Sequence, residues 1–401
     1  MKEKLAAFAT EHLDFAFQLL RLFLPLLRFN GLVIVSRFRD VEEVLQRPNI
    51  FGVTYAEKMA VVTGGGNFFL GMENTAIYER DVANMRVLMQ RSDVPNIIQP
   101  MCQSYAQELV DNLGNELDFV ADLSIRVPAH FVATYLGTPG PDEQSLIDWT
   151  TYMFWYLFFP AYPDEVTQIA TDYSAKTRDY LDTLIQTRKA SGEKIDDVVG
   201  RAIELQKTGT PGMTDVDIRN NLIGMMIGAV STTSKAAALV MDYLLDNPRL
   251  LSQAQQFARQ NDDEQLTNVV LEVLRFNAFN PGVFRITLED YRLGGGSWYG
   301  KTIKKGEKVM VLTQSAMMDK RAVGKPQTVA LDRPRSVYMP FGYGTHTCSG
   351  YYINLVQIPA ILKPILKKAS VRRAAVESGK MSMNKDNMGP FPASLKIVVI
   401  D

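Results

Sequence analysis

Phe341-Gly-Tyr-Gly-Thr-His-Thr-Cys348-Ser-Gly350 sets a lone cysteine among glycines near the C-terminus. That spacing suits a loop presenting a single thiolate to a metal. Gly342, Gly344 and Gly350 permit tight turns and close approach of the main chain to a flat ligand. Backbone N–H groups around the sulfur keep it anionic and a strong electron donor. His346, two residues before the sulfur, is placed to reach an acidic group on the same ligand.

Two further groupings could do chemistry. The proline-free stretch Ile218–Leu245 reads as one helix, roughly 40 Å long at 1.5 Å per residue, with Pro248 closing it. Gly224, Gly228 and Thr232 recur every four residues on one of its faces. Glycine inside a helix costs about 1 kcal/mol against alanine, so close packing or function must offset it. The stripe either lets a planar group or a dioxygen molecule lie against the backbone, or seats a neighbouring helix. In Glu272-Val-Leu-Arg275 a carboxylate and a guanidinium stand three residues apart, after the apolar run Val269–Leu271. In such surroundings the guanidinium can grip the carboxylate with two hydrogen bonds.

The spacing F-x-x-G-x-H-x-C-x-G resembles the heme-binding loop of the cytochrome P450 superfamily, where the cysteine is the proximal iron ligand. Cys348 takes that place, with Phe341, Gly344 and Gly350 as loop residues. Gly228-Ala-Val-Ser-Thr-Thr233 is similar to the superfamily's oxygen-activation segment, (A/G)-G-x-(D/E)-T-T. Thr232 then matches the threonine that helps deliver protons, and Ser231 stands where most members carry an acid. A hydroxyl cannot relay protons as a carboxylate does, which leaves room for chemistry starting from a peroxide. The pair Glu272 and Arg275 resembles the structural pair behind the heme, with Arg333 of Leu331-Asp-Arg-Pro334 as its third member. For the heme propionates the resemblance implies Arg285, His346 and Arg86. The histidine usually found four residues before Arg86 is Val82 here. Leu331–Cys348 is also similar to the heme domains of fungal fatty-acid diol synthases, which isomerise lipid hydroperoxides without a reductase. Those domains carry a distal N-x-x-Q, whose nearest positions hold Thr232 and Lys235 in this chain.

The elements around these residues point the same way. The 401 residues are 46% hydrophobic and 22% charged, with net charge −1, enough for a large core and without a global field toward nucleic acid. Two cysteines, Cys102 and Cys348, exclude a disulfide framework and fit a reducing, cytoplasmic setting. His12, His130 and His346 are too scattered for a non-heme metal site. Phe15–Leu27 is apolar but interrupted by Arg21 and Pro25 and too short to span a bilayer. It reads as a helix packed on the body, or one touching a membrane surface peripherally. Strands are expected at Leu32–Ser36, Thr287–Leu293 and Lys308–Leu312, a helix opening at Val41–Leu45, and helices from Ala76 to Asn277. No repeat or linker divides the chain, so residues 1–401 read as one catalytic domain.

The expectation is a mainly α protein with a small β part, the cytochrome P450 fold, carrying heme b. It would hydroxylate or otherwise oxidise a lipophilic small molecule, using dioxygen and electrons from a separate ferredoxin or flavoprotein reductase. A peroxide-using enzyme is the second reading, and a non-catalytic heme or ligand-binding protein the third. Phe68, Phe69, Met225, Gly228 and Val283 are the expected substrate-pocket residues. The aromatic runs Phe154–Phe159 and Phe279–Val283 are either pocket wall or core.

Overall fold

The computed structural model describes residues 13–66, 68–158, 164–375, 380–383 and 391–400, so His12 and Phe159 lie outside the described residues. The chain is mainly helical with small sheets, and it divides into two compact units. One comprises Met1–Thr54 and Leu271–Ser349, the other Tyr55–Val270 and Gly350–Asp401.

In the first unit, α1 (Leu13–Phe23) stops short of the expected Leu27, because Pro25 cannot continue a helix. The residues beyond it form β1 (Leu26–Phe29), paired antiparallel with β2 (Leu32–Val35). Arg21 is buried and donates to the carbonyl and hydroxyl oxygens of Ser315, whereas Phe15, Leu19 and Phe23 point outward. After α2 (Phe38–Leu45) comes the two-residue strand β3 (Phe51–Gly52). The strand expected at 287–293 is in fact two, β4 (Val283–Thr287) and β5 (Tyr291–Leu293), with β5 turning away to pair with β6 (Lys301–Ile303). The turn is fixed by Asp290, which accepts from the Lys305 N–H at 3.0 Å and the Lys304 ammonium at 2.7 Å. With β7 (Lys308–Val311), the sheet order is β1-β2-β7-β4-β3, and β7 runs parallel to β2 and antiparallel to β4.

The second unit is built around α3 (Asp215–Leu245), 31 residues long. Its start is a capping box: the Asp217 N–H donates to the Thr214 hydroxyl and the Thr214 N–H to the Asp217 carboxylate. Among the described residues α3 is the one helix long and apolar enough to cross a membrane, and 83% of its apolar window is buried inside the protein. It is therefore the core helix of this unit. α4 (Asp263–Phe276) contributes its last turns to the first unit, and α5 (Tyr351–Lys367) packs on α3, where the Thr233 hydroxyl donates to Asn354 Oδ1 at 2.9 Å. A small sheet of Glu116–Asp118, Lys396–Ile400 and Ser370–Arg373 completes the unit.

Candidate functional site

In the first unit the cysteine loop is held open by backbone geometry. Gly342 and Gly344 adopt φ of +78° and +72°, a region side chains rarely tolerate. At Gly344 a Cβ would come within 2.4 Å of the Leu45 carbonyl oxygen, so no larger residue fits against α2. The Tyr343 hydroxyl donates to Glu42 of α2 at 2.9 Å, and the Cys348 N–H closes the loop onto the Phe341 carbonyl at 2.9 Å. Gly350 departs from expectation: its φ is −81°, and it serves as the N-cap of α5 rather than as a strained turn. Cys348 and Phe341 are both half-buried. The structure brings Arg285 of β4 into electrostatic reach of His346. Burial and the Arg285 charge together push the His346 imidazole down to about 4.

The same unit holds the Glu272–Arg275 pair. Glu272 and Arg275 are both fully buried. Arg275 Nε and Nη2 donate to the two Glu272 oxygens at 2.9 and 3.0 Å, and Arg333 Nε approaches Oε1 at 3.1 Å. Sequence reasoning missed two further donors to Glu272. The Tyr338 hydroxyl reaches it at 2.9 Å and the Ala330 N–H at 3.0 Å. Burial and the Glu272 charge keep the Tyr338 phenol well above its ordinary range, so it remains a donor. Arg275 also donates to the Pro326 carbonyl at 2.6 Å, and Arg333 to those of Lys325 and Thr328 at 2.9 Å. The cluster ties the 324–338 segment, which leads into the cysteine loop, to α4. The E-x-x-R spacing and Arg333 were legible beforehand, and the Tyr338 and Ala330 donors were not.

In the second unit α3 carries the remaining candidates. Between Asn220 and Met241 every residue is buried except Gly228, Ala229 and Thr232. A Cβ added at Gly228 would meet nothing within 4 Å. At Gly224, by contrast, it would collide with the Phe68 ring at 2.2 Å, so the small-residue stripe serves two purposes. Its first glycine seats an aromatic ring, and its second opens onto free space. The Thr232 hydroxyl donates back to the Gly228 carbonyl at 2.6 Å. Ser231 is buried, and its Oγ has no hydrogen-bond partner among the described residues.

This constellation accords with a comparison of the sequence with known families. The Cytochrome P450 family profile matches residues 142–397, well over half of the chain. The chain belongs to the cytochrome P450 family. Membership brings the heme cofactor and the enzyme class, an oxidoreductase of the monooxygenase type. The P450 is 22% identical over 374 residues to the steroid C26-monooxygenase of Mycobacterium tuberculosis, covering 92% of this chain and 95% of that one. To cytochrome P450-SU2 of Streptomyces griseolus it is 25% identical, covering 88% and 84%. Among solved structures, CYP109E1 of Bacillus megaterium in complex with testosterone matches with a TM-score of 0.77 at 20% identity, covering 96% of this chain and 98% of that chain. The fold is that of a P450.

Within this P450 the other expected residues fall as follows. Arg86 is exposed near the end of the helix Ala76–Leu88, and Val82, in the place of the usual histidine, is half-buried. Phe68, Phe69 and Met225 are buried in the second unit, while Val283 opens β4 in the first and is half-buried. Phe154, Trp155 and Tyr156 are buried, and the rings of the first two pack on Phe391 at 5.7 and 5.9 Å. A groove of about 600 Å³ in the second unit, lined by Val87, Arg188, Arg201 and Glu204, includes none of the candidate residues.

Proposed function

We propose that this P450 binds heme b through Cys348 and oxidises a lipophilic small molecule, using dioxygen and electrons from a separate ferredoxin or flavoprotein reductase. The observation that carries the reading is the opening of α3 at Gly228 and Thr232, a break in a helix buried on both sides of it. A flat group with carboxylates is what the remaining residues suit. Arg285 and His346 converge in one unit, where the guanidinium and a neutral imidazole N–H can both donate to an anion. Arg86 is the third propionate candidate. When bound, the heme supplies dioxygen binding and O–O cleavage, which a thiolate ligand favours.

The chain's own contribution is proton handling and enclosure. Thr232 gives its hydroxyl hydrogen to Gly228, so the lone pairs of Oγ1 remain to accept a hydrogen bond on the open side. Ser231, in place of an acid, acts through its hydroxyl and ordered water. The Glu272–Arg275–Arg333 cluster fixes the segment that leads into Cys348. Phe68, Phe69, Met225 and Val283 supply apolar lining, in keeping with relatives named for steroid oxidation. Residues 1–401 act as one catalytic domain.

One observation favours a second reading. Ser231 cannot relay protons as a carboxylate can, which suits an enzyme that takes a hydroperoxide and needs no reductase. The test measures product from a lipophilic substrate under two conditions, with reductase and dioxygen, or with a lipid hydroperoxide alone. Strict dependence on reductase supports the monooxygenase, and rapid rearrangement without it replaces that reading. Cys348→Ala is expected to abolish the red-shifted Soret band of the reduced carbon monoxide complex.

A further inference from the structure

Part of the first unit is apolar where a folded surface is ordinarily polar. On α1, Phe15, Leu19 and Phe23 recur every four residues and share one face, and all three are exposed. Leu24 and Phe29 follow, so that five exposed large apolar side chains fall within residues 15–29. The sheet continues the pattern. Leu27, Ile34, Met310 and Phe284 stand in register across β1, β2, β7 and β4, hence on one face, and none of them is buried. A sheet face that simply meets water carries polar side chains, and a contiguous apolar surface marks an interaction site.

Trp298, in the turn between β5 and β6, is 75% exposed. Its ring packs edge-on against Tyr299, and Tyr299 lies under the Arg37 guanidinium at 4.4 Å. Arg37 Nε in turn donates to the Arg21 carbonyl of α1 at 2.8 Å. This chain of contacts sets Trp298 beside the last turns of α1, which carry Phe23. Basic side chains border the same elements. Arg28 pairs with Glu307 and Lys304 with Asp290, whereas the exposed Arg292, Lys305 and Lys308 form no ion pair among the described residues. Against them stand the exposed Glu289 and, at the start of α1, Asp14.

Exposed aromatic and aliphatic groups bordered by unpaired cations are complementary to a medium that is apolar within and anionic at its surface. At 11 residues α1 is too short to span a bilayer, so the contact lies in the plane of the interface. We infer that this face of the first unit docks on an anionic lipid bilayer, with Phe23 and Trp298 at headgroup level and Arg292, Lys305 and Lys308 against the lipid phosphates. The inference is independent of which oxidant the enzyme uses.

Flotation of the purified holoenzyme with phosphatidylcholine vesicles, with or without about one third phosphatidylglycerol, tests it without turnover. The wild type is expected to float with the mixed vesicles and to partition at least about tenfold more weakly onto phosphatidylcholine alone or in about 1 M salt. Phe23→Ser combined with Trp298→Ser should lower partition by about tenfold or more, with the carbon monoxide spectrum unchanged. Lys305→Gln combined with Lys308→Gln should weaken binding to the mixed vesicles and leave binding to neutral lipid as it was. Absence of flotation, equal partition of the wild type onto both vesicles, or flotation that survives the Phe23 and Trp298 substitutions overturns the inference. Elution as a dimer that those two substitutions dissociate overturns it as well, because a second copy then covers the face.

Discussion

The Thr232 hydroxyl is committed to the Gly228 carbonyl at 2.6 Å, so the residue that opens α3 also orients the hydroxyl beside the opening. A threonine bonded to the carbonyl four residues back presents its oxygen, not its hydrogen, to whatever lies outside the helix. Thr232→Val keeps the shape and removes that oxygen. We expect the carbon monoxide spectrum to be unchanged and product per reductant consumed to fall by about tenfold or more, in line with loss of a proton-handling group. Thr232→Ser should restore most of the coupling. An unchanged product yield in the valine variant removes Thr232 from the mechanism.

The two cysteines should differ sharply in reactivity. Cys102 is fully buried with Gln357 as its neighbour, and burial pushes its thiol up to about 12. Cys348 is half-buried on a loop. In protein produced without heme, iodoacetamide at mildly alkaline pH is expected to label Cys348 and spare Cys102, as read by peptide mass spectrometry. Labelling at Cys102 under native conditions would mean that the core around α5 opens more readily than its packing implies.

Glu272 accepts four hydrogen bonds, two from Arg275 and one each from Tyr338 and Ala330, and forms an ion pair with Arg333. Glu272→Ala leaves the guanidinium of Arg275 buried without its carboxylate. Removal of one partner of a buried pair costs about 3–5 kcal/mol, and we expect a loss of that size in urea unfolding, with weakened heme retention. Arg333→Ala should cost much less, because Arg275 still holds the carboxylate at both oxygens.

Lys235 gives the stability a definite pH dependence. Its ammonium falls from 10.5 to about 8 on folding, so the folded state favours the neutral amine. The associated stability is present above pH 10.5 and is lost as pH falls through about 8. At 1.36 kcal/mol per pH unit that fall is worth roughly 3 kcal/mol. Lys235→Met should therefore be more stable than the wild type at pH 7, with the gap closing toward pH 10.5. A gap that does not vary with pH contradicts the burial of a charged amine here.

Local patterns in the sequence carried the family, the cysteine loop, the long helix and the Glu272–Arg275 pair, because each depends on spacing along a few turns of chain. Strand and helix ends were legible less well. Pro25 was visible as an interruption, yet the strand that follows α1 depends on pairing with Leu32–Val35, and pairing is a long-range fact.

What the sequence alone determined is the chemistry available: one thiolate, a hydroxyl pair on a helix, and basic residues near both. Tertiary packing decided which of these are exposed to do it. Gly224 and Gly228 are identical in type and face, yet Phe68 fills the space at one and nothing fills it at the other. Lys235 is buried, with its ammonium against Phe391, more than 150 residues away in sequence. Burial is set by contacts distant in sequence, and the cost of burying a charge is invisible until those contacts form.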